Sequence, residues 1–134
     1  DLWNNLPEQD HFLESMAEAA KAVTTHCGEN ILYISVMNRL SVDCDCDSNP
    51  EEPKMADIGM LASLDPVALD KACADMVINA PIIGGNKLAE THPHEHLEGE
   101  DKFHLIHPDT NWQAGLRYAE EIGLGSQAYE LITV

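Results

Sequence analysis

Apolar residues recur along this chain with changing periods, and the changes mark its elements. From residue 8 to about 26, Phe12, Leu13, Met16, Ala17, Ala20 and Val23 return at helical spacing. Asn5 and Pro7 stand where a helix opens, since proline's missing N–H costs nothing in a first turn, and Gly28 stands where one stops. The run ILYISVMN, residues 31–38, is β-branched and aromatic without polar alternation, which predicts a buried strand. Polar, proline-rich sequence follows and predicts a loop. DIGMLAS, residues 57–63, predicts a second short buried strand.

LDPVALDKACADMVINAP carries the clearest helix signal. Asp65 is a natural N-cap, Pro66 fits the first turn, Leu69, Ala72, Cys73, Met76 and Val77 form one stripe, and Pro81 closes the end. Residues 82–108, rich in Gly and His, predict irregular chain. A third helix is expected from Asp109 or Thr110 to Gly123, with Trp112, Leu116 and Ala119 inward, and YELITV predicts a terminal strand. This order defines an α/β fold with a small buried sheet, parallel or mixed, and about three packed helices in layers. With no repeat and no visible boundary, residues 1–134 read as a single domain. Beginning at Asp1 rather than at methionine, the chain reads as a fragment of a longer protein, the C-terminal part of a larger α/β domain.

Charge narrows the partners. Seven Lys and Arg against 24 Asp and Glu give a net charge of −17. Phosphate recognition needs clustered cations, so neither nucleic acid nor an anionic membrane surface is an expected partner. The apolar runs are too short for a membrane span, and no secretory signal is visible. Four cysteines without an export signal suggest a reducing, cytoplasmic setting. A core cut from a larger domain exposes apolar surface, which makes a homodimer of the fragment an expected partnership.

Three constellations are candidates for chemistry. In SVDCDCDSNP, an extended backbone would turn Cys44 and Cys46 to one side and Asp43, Asp45 and Asp47 to the other. Two thiolates suit zinc or iron, with Asp45 and Asp47 adding charge or oxygen ligands, but they supply only half a tetrahedral set. The competing reading is a pair of inert thiols, since acidic neighbours raise a thiol's pKa and blunt its nucleophilicity. A disulfide between them would close a strained ring. Cys73 reads as core and Cys27 as incidental. In THPHEH, an extended segment would bring His92, His94 and His96 to one face as a weaker metal set. In DIGMLASLDP, Asp57, Ser63 and Asp65 sit where strand meets helix at the edge of many α/β sites, although a helix cap alone explains Asp65.

The order of NRLSVDCDCD, DIGMLASLDPVALDKAC, DKFHLIHPDTNW and LRYAEEIGLGSQAYELI resembles the C-terminal part of one family over nearly the whole chain. It is the family of iron–sulfur-centre proteins known as the domain of unknown function numbered 362. The resemblance aligns the family's cysteine pair with Cys44 and Cys46, and its aspartates with Asp57, Asp65 and Asp70. Many members carry a ferredoxin-like insert upstream with two runs of cluster-binding cysteines, which this chain lacks. The His92–His96 segment matches no family motif. The resemblance implies an iron–sulfur-associated protein with an electron-transfer role and a redox partner protein. Reading the residues alone leaves two other classes open: a zinc-dependent hydrolase or transferase, and a non-catalytic acidic docking domain.

Overall fold

The computed structural model describes residues 8–42, 48–49, 51–83, 87–93, 96–109 and 111–134. Their elements are α1 (Gln9–Cys27), β1 (Tyr33–Met37), β2 (Gly59–Ser63), α2 (Pro66–Asn79), α3 (Lys87–Thr91), α4 (Lys102–Ile106) and α5 (Trp112–Glu121). They divide into two compact units. The first comprises Asp1–Ile34, Ala62–Ala72 and Asp109–Val134, and the second Ser35–Leu61 and Cys73–Pro108.

The α/β class and the small sheet hold, but the strand direction differs from the expected parallel or mixed sheet. β1 and β2 form a two-stranded sheet. Just ahead of β2, Ile58 N donates to Met37 O at 2.9 Å and Lys54 N to Leu40 O at 2.6 Å, so the partners run backwards as the chain advances through and beyond β1, which is antiparallel pairing. A parallel return needs a crossover, usually helical, and among the described residues 38–58 contain no helix. Nor are the strands buried on both faces. Met37 is 5% exposed, but Ile34 is 60% and Met60 75%. The apolar run had no polar alternation to show that one face lies open.

In the first unit, α1 packs against α5. Gly115 faces Leu13 in this packing, where a Cβ would make an ordinary contact 3.5 Å from the Leu13 Cβ. Ala17, Ala119 and Val67 form the core beneath, with Leu116, Ile122 and Leu124 packed on it. Polar bonds fix the register of the two helices. Tyr118 OH donates to Glu18 Oε1 at 2.9 Å, Asn111 Nδ2 to Asp10 Oδ1 at 2.7 Å, and Lys21 Nζ to Gly123 O at 2.5 Å. α5 ends in a left-handed turn at Gly123 (φ 73°), where Gly123 N reaches Glu120 O and Leu124 N reaches Ala119 O, the 5→2 and 6→1 bonds, respectively, that satisfy a helix's last carbonyls. The helix opening expected at Asn5 and Pro7 lies outside the described residues.

In the second unit, Met37, Met55 and Val77 form one core cluster, with Leu40, Ile58, Cys73, Met76 and Phe103 against it. Ile82, Leu88 and Leu97 form another. Residues expected to be irregular hold two five-residue helices, α3 and α4. Asp101 starts α4 by accepting from His104 N at 3.2 Å. The strand expected at YELITV is absent: Leu131 and Ile132 are exposed, and among the described residues no strand pairs with this segment. β-propensity without a neighbouring edge makes no strand.

Candidate functional site

The described residues on either side of the cysteine tract are fastened to one another. After Met37 the chain turns through Arg39 in a left-handed conformation (φ 49°), and the Asp57 carboxylate accepts the Arg39 N–H at 2.8 Å. One step outward, Lys54 N donates to Leu40 O at 2.6 Å. The far side is tied down as well: Ile83 N donates to Lys54 O at 2.7 Å, and Met55 bridges Ile82. Leu40 and Lys54, the residues that flank 41–53, are therefore held together beside the Met37–Met55–Val77 core. Cys44, Cys46, Asp45 and Asp47 lie outside the described residues. Of the family-matched aspartates, Asp57 is thus a clasp at the foot of the segment.

A buried lysine paired with a partly exposed glutamate completes this base. Lys54 is 1% exposed, and its ammonium pairs with the Glu51 carboxylate three residues back. Such a lysine is costly to bury without its carboxylate. Sequence reading missed it. The one available signal was scarcity: a chain with seven cations among 24 acids has few to spare for solvent.

Ser63 and Asp65 serve a different purpose, within the first unit. Ser63 Oγ accepts from Asp65 N at 2.9 Å, and Asp65 Oδ1 accepts from Val67 N and Ala68 N at 2.9 and 3.0 Å, which caps α2. The other oxygen, Oδ2, accepts Ser126 N at 2.9 Å. Both carboxylate oxygens are engaged by backbone, so Asp65 is a structural clasp between α2 and the chain after α5. Asp70 is an exposed residue on α2, but loss of water around its carboxyl group pushes it above the ordinary 3.8.

Glu120 holds the same stretch from the other side. It accepts from Gln127 N at 2.9 Å, Gln127 Nε2 at 3.0 Å and Ser126 Oγ at 3.1 Å. The Gln127 backbone and side-chain bonds, then the Ser126 bond, hold its carboxyl below the usual 4.5. A carboxyl depressed in the folded state stabilises it above the unfolded value, and that contribution is lost as pH falls through the folded value. The Gln127 amide resonances should therefore shift on acidification below pH 4.5, and Glu120→Gln should remove that titration. A Gln127 amide that titrates unchanged in the variant would refute the assignment.

The histidine segment departs from its expected geometry where it is described. His92 ends α3 in a bend, not an extended stretch, with Nδ1 3.0 Å from Thr91 Oγ1 and 3.3 Å from Leu88 O. His96 is exposed, its carbonyl accepting Ile82 N, and His94 lies outside the described residues. Cys73 is a half-buried thiol on the methionine core, as its helical stripe implied. Among the described residues, no three His, Cys, Asp or Glu side chains converge as a metal set. No described helix is long and apolar enough to cross a membrane.

The described frame is thus of one class: two antiparallel strands of a small α/β fold, fastened to each other on either side of the sequence that carries Cys44 and Cys46. Residues 2–75, a little over half the chain, match the sequence model of the family described as Domain of unknown function (DUF362), and the chain belongs to that family. The match takes in α1, the cysteine tract, both strands and α2 as far as residue 75. No curated protein and no solved structure matches the chain.

Proposed function

We propose that this chain is a metal- or cluster-facing module of an iron–sulfur-associated redox protein, with Cys44 and Cys46 as its soft ligands. The observation that supports this most is the closed base of residues 41–53, where Asp57, Leu40 and Lys54 fasten both ends of the segment to the sheet. A fastened base limits how far a two-thiolate set can stray, which lowers the ordering cost of binding an ion. Thiolates are chemically suited to iron in a cluster or to zinc, and Asp45 and Asp47 are available as oxygen donors beside them. Bound iron–sulfur chemistry would supply one-electron transfer. The chain's own part is to hold the pair, surround it with negative charge and present it to a redox partner. Such a centre belongs in the reducing cytoplasm, where thiols persist.

The test is metal and inorganic sulfide content after purification without oxygen or a histidine tag, beside Cys44→Ser/Cys46→Ser. Iron with sulfide in the parent, reduced at least tenfold in the double variant, is the expected result. Zinc lost in the variant would replace the redox reading with a zinc site. Equal metal in both would remove Cys44 and Cys46 from the ligand set.

A further inference from the structure

The second unit contains a cation whose surroundings resemble an ion site more than a salt bridge. Lys102, the first residue of α4, is 1% exposed. Its Nζ donates to Ile78 O at 2.6 Å, to Leu97 O at 2.6 Å and to Glu100 O at 3.5 Å. All three acceptors are backbone carbonyls. Convergent carbonyl oxygens are the device by which proteins replace the hydration shell of a monovalent cation.

The fold builds this cage from both sides. Ile78 lies in the last turn of α2, where helix carbonyls lack intrahelical donors, and its oxygen also accepts Gly99 N at 2.8 Å. The opposite wall is a turn with Leu97 at φ 54° and Gly99 at φ 80°. A leucine is disfavoured in that conformation. Burial of Leu97 with Ile82 and Leu88 holds it there. Glu100, Glu98 and Asp101 add negative charge that favours the ammonium, while loss of water around it acts first and pulls its pKa below 10.5. A protonated amine has three N–H groups for three carbonyls, whereas a neutral amine has only two.

We propose that the carbonyls of Ile78, Leu97 and Glu100 form a monovalent-cation cage, which the chain fills with its own Lys102 ammonium and which binds a primary alkylammonium ion once that side chain is cut back. Lys102→Ala removes three methylenes and the ammonium, the outline of n-propylammonium. Added propylammonium, in excess of its dissociation constant, should raise the Tm of this variant by about 4 °C. It should leave the parent chain unchanged. Tetramethylammonium, with no N–H, and neutral propanol should do nothing to either. If Lys102→Ala folds and propylammonium acts no differently from tetramethylammonium, the cage is not a cation site.

A measurement on the parent chain decides the matter even where truncation unfolds the protein. The ¹⁵Nζ resonance of Lys102 at neutral pH should be that of an ammonium with slowly exchanging protons, coupled across hydrogen bonds to the Ile78 and Leu97 carbonyls. A solvent-like, rapidly exchanging Lys102 signal would overturn the proposal.

Discussion

Gly125→Ala should destabilise the first unit by about 2–3 kcal/mol, read as a fall in its denaturant midpoint. The cause is space, not backbone angle. A Cβ on residue 125 would lie 2.0 Å from Asp65 Oδ1 and 2.7 Å from its Cγ, distances no real contact tolerates. The carboxylate cannot swing aside without loss, because Oδ1 holds Val67 N and Ala68 N while Oδ2 holds Ser126 N. Moving it would uncap α2 and release the chain after α5 together. Asp65→Ala should itself cost about 2 kcal/mol through the lost cap and the Ser126 bond. In that background Gly125→Ala has nothing left to strike and should add less than about 0.5 kcal/mol. Independent, additive costs for the two substitutions would show that the glycine is required for another reason.

That clasp also shows how far the sequence could be read. Asp65 was recognisable as an N-cap because capping is local: an acidic residue, a proline and an apolar stripe suffice. Its second bond, to Ser126, depends on tertiary contact and left no periodic trace. The same division runs through the fold. α1, α2 and α5 are legible because their stripes are longer than two turns and end at Gly28, Pro81 and Gly123. α3 and α4 are five residues each, too short for a period, and depend on burial of Leu88 and the Asp101 cap. Strand direction was hidden in an apolar run that looks the same in either orientation. The connection between ILYISVMN and DIGMLAS, which reads as polar, proline-rich loop, was the better guide, since a parallel return needs room for a crossover.

The candidate site divides in a similar way. Its cysteines are visible in composition, and Asp57 was singled out within DIGMLASLDP as a residue at the edge of an α/β site, although its bond to the Arg39 N–H is a backbone clasp. Lys54 and Lys102 escaped because lysine is ordinarily a solvent residue, and burial at 1% exposure is a tertiary outcome. Asp65, at the cap of α2, and Asp70, within it, share a charge yet differ in surroundings: the first carboxyl is fully engaged by backbone donors, the second loses water and is pushed upward. Chemical identity was therefore easier to read than role.

Glu51→Ala should be the other costly change, about 3 kcal/mol, because it leaves the Lys54 ammonium buried without its carboxylate. The penalty belongs to the stranded charge more than to the lost attraction, and this separates it from an ordinary surface pair, worth about 0–1 kcal/mol. Lys54→Met in the Glu51→Ala background removes the charge while keeping most of the side-chain volume, so it should restore at least half of the lost stability. An effect of Glu51→Ala within about 0.5 kcal/mol of the parent would mean that the pair behaves as exposed. The same comparison probes the proposed function, since Lys54 closes the base of the segment that carries Cys44 and Cys46. If fastening that base lowers the cost of holding metal, Glu51→Ala should lose metal along with stability. Restoring stability with Lys54→Met should then recover the metal. Recovery of fold without metal would instead make the Glu51–Lys54 charges themselves part of the binding site.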